Sequence, residues 1–479
     1  MSRSKILDFY ENQSVFITGG TGFMGKVLIE TLLRSTNVSI IYVLMRAKKG
    51  KTSAQSLEEM FNCALFDRLK KERPDYESRV TAVVGDCVQE DLGLAPEDRQ
   101  ELISKTNIVF HVAATVSFTE NIKIAYDVNV KGTKALLDLC KKFENLKSVV
   151  HTSTVSVYCH LDAIDEVIYD HPLHHEQAES MLEKLSLEEA LRQIPSILKK
   201  WINTYTFTKA MAESMIKEIS DGLPIGIFRP PIVTASYKEP MESWVDSFAT
   251  LGLVAFMSLG VIRVVPSKGS CPMELVPVDL VISAMIACAW DISHKDSIPV
   301  YNYVSSIDNP TTFGDFLKIH KTQMCRYPLS RAVWAPQFIC TTNPVWYSLS
   351  KILYNRTLAL FYDFCHILTL KKPQMLGRII KLEEIVDSIA LFLNRSWKFS
   401  NGNVNKLWDR MNDEDRKLFP FDIQKSCVPF KKNIYLNDPL STLPEARIRM
   451  ERFEKTHEVL MFLFYFFLEN LGWTFISKL

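Results

Sequence analysis

No two cysteines stand in a Cys-x-x-Cys pair; the ten are scattered singly from Cys63 to Cys427. That argues against a disulfide framework and against a zinc site, and it fits reduced thiols in an intracellular protein. Neither sign of charge is in excess. A formal net charge of +1 removes global attraction to a polyanion, and no nucleic-acid partner is expected. Internal repeats and low-complexity tracts are absent as well. No signal peptide precedes the first apolar strand: the polar start Met1-Ser2-Arg3-Ser4-Lys5 runs on to Val15-Phe16-Ile17, and the first domain is expected to face the cytosol. What is present is 479 residues, 47% hydrophobic and 23% charged, the composition of a folded chain of two or three units.

The first half alternates short β-branched runs with helical patterns, which specifies βαβ units and a parallel sheet. Strands are expected at Ser14–Ile17, Ile40–Leu44, Val80–Val84, Ile108–His111, Val149–Thr152 and Ile225–Phe228, with helices such as Lys26–Arg34 and Gly132–Phe143 between them. Right-handed crossovers make this an α/β, doubly wound Rossmann-type sheet whose ligand lies beyond the carboxyl ends of the strands. A charged, Leu-rich helical insertion is expected over Glu176–Lys200, and an irregular substrate-side lobe over about 232–304. The reductase domain is taken as 1–335. A smaller helical domain follows over 345–450, with Trp346–Leu370 apolar and aromatic and Pro373–Leu418 amphipathic and all-helical. An apolar tail, 459–476, is expected to associate with membrane lipid.

Thr18-Gly19-Gly20-Thr21-Gly22-Phe23-Met24-Gly25 follows the first strand and opens a helix. Gly19 permits the tight turn, Gly22 lets backbone approach a pyrophosphate, and Gly25 allows close helix–strand packing. The helix N-terminus then offers free N–H groups to the phosphates. At the end of the second strand Arg46 stands where a carboxylate would select NAD, with Lys48, Lys49 and Lys51 close behind. A guanidinium there suits a 2′-phosphate, so the cofactor is expected to be NADPH. Asp86 ends the third strand, Ala113 follows the fourth and Pro230 the sixth; together with Gly19, Thr21, Gly22, Phe23, Gly25, Arg46 and Lys209 they complete the expected cofactor set. His111 reads as structural rather than acid/base.

Tyr205-Thr206-Phe207-Thr208-Lys209 sets a phenol and an ammonium four residues apart, on one face of a helix. Carbonyl reduction needs a proton donor for the oxygen, and a nearby Lys is expected to lower the phenol pKa and grip the cofactor ribose. Thr154 is the expected partner of the substrate oxygen, with Ser153 the alternative and simple capping of the strand end the plainer role. Asn129 either holds a water or backbone carbonyl in a proton relay or caps a helix. The expected catalytic residues are therefore Tyr205, Lys209 and Thr154. His171, His174 and His175 cluster in what reads as an exposed loop, with no metal site expected.

Together these residues resemble the extended short-chain dehydrogenase/reductase superfamily and, within it, the alcohol-forming fatty acyl-CoA reductases. The carriers are the Val15–Phe23 stretch, Arg46-Ala47-Lys48-Lys49-Gly50, the Tyr205–Lys209 pentapeptide and Phe228-Arg229-Pro230-Pro231-Ile232-Val233. Trp397-Lys398-Phe399-Ser400-Asn401 through Phe419-Pro420-Phe421-Asp422 resembles the helical C-terminal domain of those reductases. The resemblance implies that two NADPH act in turn on a long-chain acyl-CoA. The acyl group passes through an aldehyde-level intermediate to a primary alcohol, with release of CoA. Alternatives are an extended dehydrogenase or epimerase acting on a steroid or nucleotide sugar, and an inactive membrane-bound scaffold. The terminal Ser477-Lys478-Leu479 reads as a peroxisomal address, giving a peroxisomal membrane as the expected location and the endoplasmic reticulum as the alternative.

Overall fold

The computed structural model describes residues 3–47, 50–246, 254, 256–326, 332, 334, 335, 337–370 and 372–423. Lys48, Lys49, the tail 459–476 and the terminal tripeptide lie outside them. The chain forms two compact units that interleave in sequence. Of the described residues, one comprises 3–246, Glu274–Pro310 and 397–423; the other comprises 254–273 and Thr311–Ser396.

The first unit is a seven-stranded parallel sheet. In chain order its strands are β1 (Ser14–Thr18), β2 (Ile40–Met45), β3 (Val80–Val84), β4 (Ile108–His111), β5 (Ser148–Thr152), β6 (Ile225–Arg229) and β7 (Val300–Asn302). Their spatial order is β7-β6-β5-β4-β1-β2-β3, with the reversal between β1 and β4 that marks a doubly wound fold. Side chains alternate between the two faces of the sheet. Val15 and Ile17 point to one core while Phe16, between them, points to the other. Helices α1 (Phe23–Ser35) and α4 (Val278–Ile292) cover the first face. The second is covered by α2 (Gly132–Cys140) and α3 (Thr204–Ile219).

Six strands stand where the sequence places them. The seventh, β7, and the whole of α4 fall inside the stretch expected to be an irregular lobe. Every residue of α4 is buried. A helix apolar all round carries no 3.6-residue period, so periodicity could not reveal it. The insertion over Glu176–Lys200 is two helices, His175–Glu183 and Leu187–Leu198, the second started by a Ser186/Glu189 capping box.

The chain after Ser396 is not wholly helical either. Lys398–Phe399 pairs in parallel with Ala163–Ile164, and helices Gly402–Arg410 and Asp413–Leu418 follow. This segment packs into the first unit through polar locks. Glu166 accepts from the backbone N–H of both Asn302 (3.1 Å) and Asn403 (2.6 Å), and Asp415 accepts from Ile6 N (3.1 Å). Tyr303 donates to the carbonyl of Phe421 (2.7 Å).

The second unit holds the helix Phe313–Arg326 and a long helix, α5. The latter is α-helical over Pro344–Ser350 and Thr357–Leu368, with a π-helical stretch at Lys351–Arg356 between. It packs against α6 (Met375–Ser388) around Val261, Ala359 and Ile379.

Candidate active site

The site forms at the carboxyl ends of β1, β4, β5 and β6. Gly19 turns the chain out of β1 with φ +74°, and a Cβ on it would sit 2.5 Å from the backbone nitrogen of Ala113. A Cβ on Gly25 would meet the carbonyl oxygen of Gly19 at 2.3 Å. Side chains at either position would force apart the loop and the helix it feeds. No side chain caps the start of α1 at Gly22. Its first N–H groups are therefore available to an anion at the positive end of the helix dipole. The cradle fits a dinucleotide pyrophosphate, with nothing but backbone at the points of closest approach.

The other expected cofactor residues surround this loop. Thr21 is exposed, and Phe23 stacks on Trp244 with centroids 5.6 Å apart. Arg46 is exposed at the end of β2, with no carboxylate among its neighbours Leu44, Met45 and Ala47. Lys51 is engaged by Glu59 at 2.5 Å, so of the basic residues described here Arg46 is the one at the strand end. Asp86 turns back on its own loop, accepting from Val88 N at 3.3 Å. Ala113 N donates to the hydroxyl of Thr18 (3.4 Å), and the carbonyl of Pro230 receives Val155 N (3.0 Å), which fixes the turn after β5.

Asn203 starts α3 by accepting from Thr206 N at 2.8 Å, so Tyr205 and Lys209 lie on the first two turns facing β5. The Thr154 hydroxyl lies beside the phenol of Tyr205 and pulls its pKa down, and Phe118 stacks on the ring at 6.0 Å. Thr154 also accepts from Ser156 N (3.3 Å), so it caps the short turn after β5. Ser153 is buried, and its hydroxyl finds no partner. Of the two hydroxyls, it is Thr154 that acts on the phenol pKa. Lys209 donates to the carbonyl of Thr152 at 2.7 Å.

The electrostatics differ from the sequence expectation. Burial pushes the Tyr205 phenol up to about 12, outweighing the nearby Thr154 hydroxyl that pulls it down. Burial likewise pushes Lys209 down to about 8, with Glu213 pulling the other way. The lysine does not lower the tyrosine here, because its ammonium is directed to a backbone carbonyl and is itself desolvated. A phenol held protonated at neutral pH is a proton donor, the form that carbonyl reduction requires.

His111 is structural. Its Nδ1 bonds the Thr18 hydroxyl at 2.7 Å and its Nε2 the Thr133 hydroxyl at 2.9 Å. Burial, then the nearby Lys209 charge, push it down to about 3, so it is neutral at physiological pH. Asn129 sits in a π-helical stretch, Asp127–Lys131, and is not a helix cap. Its side chain holds both backbone groups of Thr115 (3.0 and 3.2 Å) and donates to the Thr208 hydroxyl (3.0 Å). That clamps the loop after β4 to α3.

The three histidines do not form one exposed loop. His171 is half-buried, stacked on Trp201 at 4.6 Å, and His175 is buried. His174 caps the helix His175–Glu183 through Nδ1, and its Nε2 meets Glu218 at 2.9 Å. The donor atoms of His174, His175 and Glu218 lie within 4.8 Å of one another, a proximity invisible in sequence because Glu218 is on another helix.

Glu213 and Arg229 form a fully buried ion pair, and the sequence reading missed Glu213. The guanidinium reaches Glu213 at 2.9 and 2.6 Å and also bonds Asp165 O, Val167 O and Asn302 Oδ1. Arg229 therefore anchors β6 from within and does not face the cofactor loop. A signal did exist: Tyr205, Lys209 and Glu213 repeat every four residues, which is one helix face.

Two family models, both described as male sterility protein, match the chain. One, an NAD-binding model, covers residues 17–285, and the other covers 354–429. The fatty acyl-CoA reductase wat of Drosophila melanogaster is 35% identical over 469 residues, 95% of this chain and 90% of its own length. Fatty acyl-CoA reductase 1 of Homo sapiens is 35% identical over 460 residues, 93% and 89% of the two chains. Among solved structures, the terminal R domain of the myxalamid PKS-NRPS pathway aligns with TM-score 0.57 at 20% identity, covering 90% of this chain and 97% of that one. The reductase (R) domain of a Mycobacterium tuberculosis non-ribosomal peptide synthetase aligns with TM-score 0.56 at 17% identity, covering 85% and 87%. At those identities the likeness concerns the fold.

Proposed function

This chain belongs to the fatty acyl-CoA reductase family and is an oxidoreductase, and from that premise we propose that it uses NADPH to reduce a long-chain fatty acyl-CoA to the primary alcohol, releasing CoA. The observation that carries this reading is Tyr205 beside Thr154, with Lys209 one turn on, at the strand ends that carry the glycine cradle. Gly19, Gly22 and Gly25 would hold the pyrophosphate and Arg46 the 2′-phosphate. When bound, the nicotinamide supplies hydride to the acyl carbon.

The protein's own part is proton management. Thr154 and Tyr205 together bind the carbonyl oxygen, and Tyr205 donates its proton as negative charge develops there. Lys209, whose pKa burial lowers to about 8, is the group that returns a proton to the phenolate. The thioester round expels CoA as its thiol and leaves the aldehyde level; the second round takes the aldehyde to the alcohol. Each round consumes one proton through the same tyrosine.

Incubating the purified chain with a panel of acyl-CoAs, and following NADPH oxidation and extracted product together, tests the proposal. Two NADPH oxidised per alcohol formed is the expected result; absence of acyl-CoA-dependent oxidation sinks it. Arg46→Ala should raise the KM for NADPH roughly ten- to a hundred-fold with little effect on NADH, since a lost charge-assisted bond is worth ~1.5–3 kcal/mol. A wild type that prefers NADH overturns the Arg46 assignment. Membrane association through 459–476, at peroxisomes or the endoplasmic reticulum, belongs to the same proposal. An N-terminal fluorescent fusion, with and without Ser477–Leu479, tests it.

A further inference from the structure

Helix α5 is turned inside out relative to an ordinary surface helix. Its charged side chains face inward, to α6. Lys351 pairs with Asp387 at 3.1 Å and Arg356 with Glu383 at 2.8 Å. Asp363 is buried and caps α6, accepting from the N–H groups of Gln374, Met375 and Leu376, each at 2.9 Å. The apolar residues face outward instead. Val345, Leu349 and Ile352 are exposed before the turn that carries Arg356, and Leu360, Phe364 and Ile367 continue the exposed apolar stripe after it.

Phe361 (65% exposed) and Leu368 (68%) widen the stripe at its far end. Beyond them Leu370 is 98% exposed, on a left-handed backbone with φ 59°, so it projects from the end of the helix. A contiguous apolar face of this extent marks an interaction surface.

Charge decides what covers it. Between Pro344 and Leu370 the one carboxylate is Asp363, which is buried, so the outward face carries no acid. Lys372, two residues after Leu370, is exposed, and so is Arg378 in the first turn of α6. A second copy of this face would offer those cations no counter-charge; anionic lipid headgroups would. No helix among the described residues is long and apolar enough to cross a membrane, so the fitting geometry is a helix lying in the interface.

We propose that the outer face of α5 binds the surface of an anionic bilayer, with the end around Phe361, Leu368 and Leu370 immersed among the acyl chains. This is a lipid contact additional to the tail and does not depend on which acyl substrate is reduced. The residue types fit: aromatic Trp346, Tyr347 and Tyr362 share the helix with the aliphatic stripe, the mixture that interfacial segments use.

The test uses the full chain. An environment-sensitive fluorescent amino acid is placed by amber suppression at position 368, and in a separate protein at position 187, an exposed leucine of the first unit. Phosphatidylcholine vesicles are added with and without phosphatidylserine. The expected result is a blue shift at 368, larger with phosphatidylserine, and none at 187. The triple variant Phe361→Ser, Phe364→Ser, Leu368→Ser should need about tenfold more vesicle for half-maximal binding. Its NADPH oxidation with a short, water-soluble acyl-CoA should be unchanged. A probe at 368 that stays water-exposed while the protein sediments with vesicles overturns the proposal and leaves the tail as the membrane contact. A probe already shielded before lipid is added, and unmoved by it, overturns it in favour of the tail or a second copy covering the face.

Discussion

Helices α4 and α5 are similar in composition and opposite in disposition. Both are rich in aliphatic side chains and both turn their few charges toward partners. In α4, Asp279 accepts from three successive N–H groups, of Tyr237, Lys238 and Glu239, at 2.8 to 3.1 Å. At its other end Asp291 accepts from the hydroxyl of Tyr301 (2.7 Å) and pairs with Arg410. α5 does the same with Lys351, Arg356 and Asp363. The difference lies in the remaining surface: α4 is buried on every side against the sheet, whereas α5 shows solvent an apolar stripe. Apolar content alone therefore does not say whether a helix makes a core or a contact. The charges show which side is inward, and the other side then tells the purpose.

The largest effect should come from the buried side of this contrast, at the site that the first unit encloses. Tyr205→Phe keeps the ring under Phe118 and removes the proton donor. Turnover should fall by ~10²–10⁴-fold, with cofactor binding and unfolding midpoint close to wild type. Stopped-flow NADPH binding beside steady-state rates separates the two; near-normal turnover would exclude Tyr205 as the acid.

Next in size is the core that supports it. Ile286 of α4 is fully buried, and its carbonyl receives the hydroxyl of Tyr10 at 2.9 Å. Ile286→Ala should destabilise the first unit by ~2–5 kcal/mol, read from the denaturant midpoint of its transition. An unmoved midpoint would mean that α4 is not the core its burial describes.

These two positions also show what could be read in advance. The six longer strands were legible because β-branched runs alternate with helical patterns, and Tyr205 with Lys209 was legible from spacing. The seventh strand is three residues long, too short for a periodic signal. The choice between Ser153 and Thr154 depends on which hydroxyl the turn after β5 directs at the phenol, a matter of backbone path. The direction of the Tyr205 shift was misjudged because desolvation is not written in neighbouring residue types, and it outweighs the lysine. Arg229 was seen, but its partner Glu213 comes from another element, and only the folded chain joins them.

A smaller effect, on the boundary between site and core, is the pH response of Lys209. Its folded pKa, about 8, lies below the ordinary lysine value. At lower pH the lysine is charged in both folded and unfolded states, and the burial penalty is fully present. As pH rises through about 8 the folded protein releases the proton first, so this group's contribution to stability improves. Activity should move the opposite way. With Tyr205 near 12 and silent in this range, kcat/KM for reduction should fall about tenfold per pH unit above about 8. Lys209→Arg should move that fall to higher pH in whatever activity it retains. A profile flat to about pH 10 would take Lys209 out of the proton path.

The smallest effect is expected where the comparison is sharpest. Ile367 stands on the outward stripe of α5, more than half exposed. Ile367→Ala removes the same atoms as Ile286→Ala on α4. Because those atoms are already in water, no cavity forms and little transfer free energy is lost. The change in unfolding free energy should stay within ~0.5 kcal/mol in detergent-free buffer. Binding to anionic vesicles should weaken, since immersing the side chain would remove that same area from water. The pair thus measures one deletion in two surroundings. A loss above ~1.5 kcal/mol without lipid would show that the stripe is already covered in the folded chain, and α5 would then be a core helix like α4.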